Sequence, residues 1–136
     1  VITVENKANY ESMPYEEGTL IIYSHGYFSP DERAFLIHLE RVLSSIRTSC
    51  GTTYLHTGDL DYGGVKIFQY IKKRIFPNLQ PYLMDTQTHE QYKAYGEPIE
   101  TSKLEKLQRT TEPLLQPLID KICAEKQVIE QESFLF

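Results

Sequence analysis

Three short β-prone runs, two of them followed by a stretch with helical spacing, constrain this chain more than any other feature. Residues 1–4 (Val-Ile-Thr-Val), 19–23 (Thr-Leu-Ile-Ile-Tyr) and 52–57 read as strands. The 19–23 run is almost wholly apolar, which suits a parallel sheet covered on both faces. After the second run, Ser29 is a helix cap, Pro30 fits the first helical position, and Asp31 and Glu32 fall in the favourable first turn. Ala34, Leu36, Ile37, Leu39, Val42, Leu43 and Ile46 then recur at helical spacing as an expected buried face, and Gly51 ends that unit. Residues 65–75 read as another helix, with Ile67, Phe68, Ile71 and Ile75 as its stripe. A fourth strand is expected over 79–84, ending at Asp85. Strands alternating with helices predict an α/β fold: a mostly parallel four-stranded sheet flanked by helices.

The last third has another character. Residues 87–98 read as polar loop. Ser102-Lys103-Leu104-Glu105 has capping-box spacing and predicts a short helix. Residues 111–122 read as a helix, with Pro113 in its first turn and Pro117 bending it, and 125–134 as a final short helix. The expected organisation is one domain over 1–136, with an α/β core at 1–86 and a helical extension at 87–136. The chain opens inside a β-prone run with no starting Met, as expected of a C-terminal fragment of a longer protein. A net charge of −5 argues against a surface given over wholly to nucleic acid, though not against a DNA enzyme with a carboxylate centre. Cys50 and Cys123 form no zinc motif and read as buried thiols of a reduced, cytoplasmic protein. No apolar run is long enough to span a membrane.

The chemistry concentrates in Gly58-Asp59-Leu60-Asp61-Tyr62-Gly63-Gly64, at a strand-to-helix corner. Ligands of open parallel sheets bind beyond the C-terminal strand ends. Glu5, Asp59, Asp61 and Asp85 all fall there on this reading. Grouped carboxylates repel one another unless a cation or proton lies between them, and Mg²⁺ or Mn²⁺ prefers such oxygen donors. Gly58 permits a tight turn, and Gly63 and Gly64 permit close approach of a helix or substrate. The structural alternative is that Asp59, Asp61 and Asp85 are turn or cap residues and that Glu5 is a solvated strand end. His25 ends the second strand and is placed to face the same cleft; His56 reads as core or as support behind the corner. His38 reads as packed or surface. Lys66, Lys72, Lys73 and Arg74 give the 65–75 helix a basic side, able to meet a phosphate backbone or simply solvated.

Glu5 in Val4-Glu5-Asn6 and the pair Asp59-Leu60-Asp61 match the order of acids in Toprim domains, the metal-binding modules of topoisomerases, primases and some nucleases. The chain resembles these domains and is more closely similar to the C-terminal Toprim-like domain of JetD, the nuclease subunit of the Wadjet plasmid-defence system. The likeness covers the whole chain and includes residues 24–33, Leu83-Met84-Asp85 and Ile129-Glu130-Gln131-Glu132. The chain departs from the group at His25-Gly26, where Gly-Gly is frequent, and at Asp61-Tyr62-Gly63-Gly64, where Asp-Pro-His-Gly is frequent.

The resemblance implies a Toprim-like, Rossmann-like fold and cleavage of double-stranded DNA with bound Mg²⁺ or Mn²⁺. It implies that Glu5, Asp59 and Asp61 hold the metal, with Glu5 doubling as a proton acceptor, and that Glu130 and Glu132 reach or brace the site. It also implies a homodimer working within a larger complex that contains a chromosome-maintenance-type ATPase. Two other readings stand beside it. One is a non-catalytic dimerisation or docking module with the same fold. The other is a small-molecule phosphohydrolase, since Asp-x-Asp after a strand also occurs in aspartyl-phosphate enzymes, although Gly63 replaces their usual Thr or Val.

Overall fold

A computed structural model describes residues 1–46 and 51–136. Its centre is a parallel four-stranded sheet with strand order β2-β1-β3-β4. The strands are β1 (Ile2–Val4), β2 (Ile21–Tyr23), β3 (Leu55–Thr57) and β4 (Gln80–Pro81). Helices α1 (Lys7–Ser12), α2 (Pro30–Ser45) and α3 (Tyr62–Arg74) connect them. The predicted α/β class, with a parallel sheet flanked by helices, is therefore the observed one. No helix among the described residues is long and apolar enough to cross a membrane.

The strands are shorter than the sequence predicts, for local reasons. β4 keeps only two of the expected six positions: Pro81 has no N–H for the ladder, and Leu83 takes a left-handed φ of 54° that breaks the extended run. β2 lies at the sheet edge, so Ile21, Ile22 and Tyr23 are half-buried instead of covered on both faces. α2 inherits this edge position. Of its predicted apolar face only Leu36 is fully buried; Ile37, Leu39 and Leu43 are partly covered, while Val42 and Ile46 are exposed. The start of α2 forms as predicted. Ser29 Oγ accepts from the Glu32 N–H at 3.3 Å, and the Glu32 carboxylate accepts from the Ser29 N–H at 2.7 Å. Cys50 lies outside the described residues, and Cys123 is half-buried.

The last third departs most from expectation. Within 87–98, predicted as loop, the chain is instead helical to Tyr92: helix α4 (Thr86–Tyr92) is started by Asp85, whose Oδ1 accepts from the Thr88 N–H at 2.7 Å. A two-residue strand β5 (Glu97–Pro98) follows. Helix α5 (Thr101–Gln108) starts one residue before Ser102, with Glu100 at its N-cap and no side-chain cap, so the predicted capping box is not made. Helix α6 (Gln116–Glu125) begins after Pro113, and Pro117 occupies its opening turn instead of bending it. The final helix predicted over 125–134 is replaced by a strand and a 3-10 turn. Lys126 in the left-handed region, φ 56°, ends α6 and returns the chain as β6 (Gln127–Val128), antiparallel to β5. Residues Gln131–Phe134 then form the 3-10 turn.

One hydrophobic cluster joins the sheet layer to this extension. Val65, Phe68 and Ile71 of α3 pack in it with Leu107 of α5 and Leu118, Ile119 and Ile122 of α6, all at most 1% exposed. The difference between the two predicted capping boxes gives a direct check. Ser29→Ala is expected to lower unfolding free energy by about 1 kcal/mol, as for loss of a working N-cap, while Ser102→Ala is expected to leave it unchanged; urea denaturation midpoints measure both.

Candidate metal centre

The sheet register creates the site. Val4 of β1 pairs with Thr57 of β3, so the next residues, Glu5 and Gly58, leave the sheet side by side. The Glu5 N–H donates to the Thr57 carbonyl at 3.0 Å. The Asp59 N–H in turn donates to Glu5 Oε2 at 3.0 Å, which draws the Glu5 carboxylate across the corner. Gly58 makes room for this. A Cβ at position 58 would overlap Glu5 Oε2 and lie 3.1 Å from His56 Nε2. Gly64 is required for a related reason: its Cβ would overlap the Asp59 carbonyl oxygen, where α3 starts against the corner. Gly63 is less constrained, since its Cβ would meet nothing nearer than Asp61 Oδ1 at 3.3 Å.

The C-terminal segment straps this corner. Leu60 and Ile129 form an antiparallel bridge, with N–H···O distances of 2.8 and 3.2 Å. Two residues on, the Gln131 N–H donates to Asp59 Oδ1 at 2.7 Å. The Gln131 side chain is fully buried, donating to Thr57 Oγ1 at 2.9 Å and accepting from the Asn6 N–H at 3.1 Å. Gln131 thus ties the ends of β1 and β3 to the strap, a role the sequence reading did not assign. Its signal was its place between two acids in Glu130-Gln131-Glu132. The inward glutamine sends its neighbours apart. Glu132 lines a cleft of about 370 Å³ with Glu5, Asp59 and His25. Glu130 lines an adjoining hollow of about 300 Å³ with Asp61.

The other predicted residues divide. Asp61 is the N-cap of α3, its Oδ1 accepting from the Gly64 N–H at 2.7 Å, and it also faces the hollow. His25 does face the main cleft, where its Nε2 lies 3.1 Å from Glu32 Oε1. Asp85 caps α4 and lines neither space. Among the described residues, no three His, Cys, Asp or Glu side chains are gathered as a ready-made cation cage. The structure brings Glu5, Asp59 and Glu132 to one cleft and Asp61 with Glu130 to its neighbour.

Charge is uncompensated here. Burial, and then repulsion by Asp59, push the Glu5 carboxyl up to about 7, against the opposing Asp59 N–H. Burial pushes Asp59 up to about 6; the Gln131 N–H opposes this, while Asp61, Glu130 and Glu132 add to it. His56 supplies no counter-charge, because complete burial depresses its imidazole to about 3. Its Nδ1 lies 2.8 Å from Thr3 Oγ1, and its buried Nε2 has no partner. Lys7, at the cleft rim, is paired with Glu11 at 3.6 Å. Hard oxygen donors, half-buried and raised in pKa by burial and then by neighbouring acids, fit a divalent cation such as Mg²⁺ or Mn²⁺, which would lower both pKa values by its charge.

A carboxyl whose pKa is raised on folding stabilises the fold while protonated. That contribution is complete below the unfolded value and is lost as pH rises through the folded one. For Glu5 and Asp59 the window runs from their ordinary values of 4.5 and 3.8 to about 7 and about 6. The metal-free protein is therefore expected to lose thermal stability between about pH 4 and 7 relative to a Glu5→Gln, Asp59→Asn variant. Melting curves across that range check this, and saturating Mn²⁺ is expected to restore the parent selectively.

Comparison with known proteins agrees with the architecture. Residues 1–136 match the family described as Wadjet protein JetD, C-terminal. The chain is 34% identical over 137 residues to Wadjet protein JetD of Bacillus cereus (strain Q1). That alignment covers 97% of this chain and 32% of the relative, so the chain spans about a third of the relative's length. On the whole-length family match and this identity, the chain belongs to the Wadjet JetD C-terminal family.

Proposed function

We propose that this chain is the divalent-metal-dependent DNA endonuclease domain of a bacterial plasmid-defence protein. The observation that carries the reading is the convergence of Glu5 and Asp59 at the ends of two adjacent parallel strands, joined by the 3.0 Å bond from the Asp59 N–H. Family membership supports it, as does the match of Glu5, Asp59 and Asp61 to the order of acids in Toprim domains.

In this reading Glu5 and Asp59 hold Mg²⁺ or Mn²⁺, with Asp61 and the strap glutamates Glu130 and Glu132 completing or bracing the site. The bound cation supplies charge neutralisation at the phosphate oxygens. The protein's own residues do the rest. Gly58 gives the Glu5 carboxylate its space. Gln131 fixes the orientation of Asp59 through its N–H. In the same reading Glu5, which faces the cleft, doubles as the proton acceptor. The substrate is double-stranded DNA, and the domain works as a homodimer with a chromosome-maintenance-type ATPase complex.

One observation favours a second reading, a non-catalytic docking module. Asp61 is already used as a helix cap, and no three-ligand cage is preformed among the described residues. Calorimetric titration with Mn²⁺ separates the two, because a pure scaffold shows no binding that depends on Asp59. For the nuclease reading, the full-length protein with its partners is assayed on supercoiled plasmid in Mg²⁺ or Mn²⁺. Asp59→Ala and Glu5→Gln are expected to lower cleavage by more than about 100-fold, beyond the cost of losing an outer-shell partner. Gly58→Ala is expected to behave like Glu5→Gln, because the added methyl displaces the carboxylate. Parent-level cleavage by Asp59→Ala would remove the site from the chemistry.

A further inference from the structure

The overall charge of −5 and the crowded carboxylates repel a polyanion, so a DNA substrate needs a cationic approach. α3 provides one. Its buried stripe contains Val65, Ile67, Phe68, Ile71 and, just beyond its last turn, Ile75. The opposite stripe carries Lys66, Gln69, Tyr70, Lys73 and Arg74, at the three- and four-residue spacing that aligns side chains on one helix face. These residues line an open groove of about 610 Å³ whose far wall includes Tyr27.

The walls of the groove are fixed. The Tyr70 hydroxyl donates to the Phe28 carbonyl at 3.1 Å, and its ring meets Tyr27 edge-on at 5.1 Å. Gln69 Nε2 donates to the Thr111 carbonyl at 3.1 Å. Lys72 is neutralised by the nearly buried Glu112 at 3.6 Å. Among the described residues, Lys66, Lys73 and Arg74 have no ion-pair partner. Basic residues in the last turn offset the helix dipole, which accounts for Lys73 and Arg74. Lys66, in the first half of the helix, gains nothing from that effect.

Adjacent residues tie the groove to the carboxylate corner: Tyr27 lines the groove, and Gly26 before it lines the cleft with Glu5 and Asp59. α3 begins at its cap, Asp61, and its thirteen residues extend about 20 Å at 1.5 Å per residue. That length spans about six base-pair steps measured along a duplex axis, at 3.4 Å per step.

We infer that the α3 groove, through Lys66, Lys73 and Arg74, holds the phosphate backbone of duplex DNA and leads it to the Glu5–Asp59 corner. The inference rests on the nuclease reading for the identity of the polyanion. An acidic peptide segment is the competing ligand. The unpaired cations, Lys73 and Arg74 exposed and Lys66 half-buried, act as point charges on phosphates, so they contribute to affinity and salt dependence without selecting sequence.

The test measures binding of the full-length protein to a fluorescent 30-base-pair duplex by anisotropy, in EDTA, across a series of salt concentrations. The Lys66→Glu, Lys73→Glu, Arg74→Glu variant is expected to bind at least ~10-fold more weakly at 0.1 M salt. The slope of log Kd against log salt is expected to fall by about 3, close to one unit per lost phosphate contact. The corresponding Gln triple variant, which adds no repulsion, is expected to show the same change in slope with a smaller loss of affinity. Unchanged slopes in both variants overturn the inference. So does loss of binding to a poly-glutamate peptide of matched charge while DNA binding is retained. The assay contains no free metal and reads no cleavage. A wild-type cleavage rate in Asp59→Ala would therefore count against the metal reading alone, and an unchanged salt slope against the groove alone.

Discussion

Two half-buried carboxylates at the ends of adjacent parallel strands organise the structure. Parallel pairing of β1 with β3 sends Glu5 and Asp59 out of the sheet at the same end, and the register sets Glu5 beside Gly58. Each acid then receives one backbone N–H: Glu5 from Asp59, and Asp59 from Gln131. Single hydrogen bonds do not offset the loss of water around two nearby negative groups, so both stay well above the usual carboxylate range. The protein holds these two acids in place with backbone N–H donors and the buried Gln131 side chain behind them.

Gln131 explains why the last third of the chain belongs to the site. The extension packs its apolar residues on α3, and α6 ends at Lys126 in a left-handed turn that directs β6 back to the corner. The Leu60–Ile129 bridge sets the register of the strap, and Gln131 follows with three hydrogen bonds to three different residues around the corner. Glu132 is thereby delivered to the cleft with Glu5 and Asp59, and Glu130 to a separate hollow with Asp61. In an extended segment, alternate residues share a side; here the 3-10 turn that begins at Gln131 breaks that alternation.

Much of this was legible in the sequence, for identifiable reasons. Strand–helix alternation gave the parallel sheet, and the Ser29-Pro30-Asp31-Glu32 signal gave the start of α2 because capping depends on four contiguous residues. The Gly58–Gly64 corner was legible as a tight strand-to-helix turn because Gly58 and Gly64 leave room for the Glu5 carboxylate and the Asp59 backbone. What the sequence hid depends on tertiary position. An apolar run looks the same in a central strand and at an edge, so the half-exposure of β2 and α2 could not be read from it. The Ser102 capping-box spacing carried no information about where α5 would begin against α3. The Gln131 contacts join residues more than seventy positions apart, and no local pattern encodes them.

The central claim is that Glu5 and Asp59 share one divalent cation. Anomalous diffraction from Mn²⁺-soaked crystals tests it most directly. The account predicts a peak in the cleft between the Glu5 and Asp59 carboxylates, absent in crystals of Asp59→Ala. A peak that persists in that variant, or a parent cleft left empty while Mn²⁺ binds elsewhere on the chain, would contradict it.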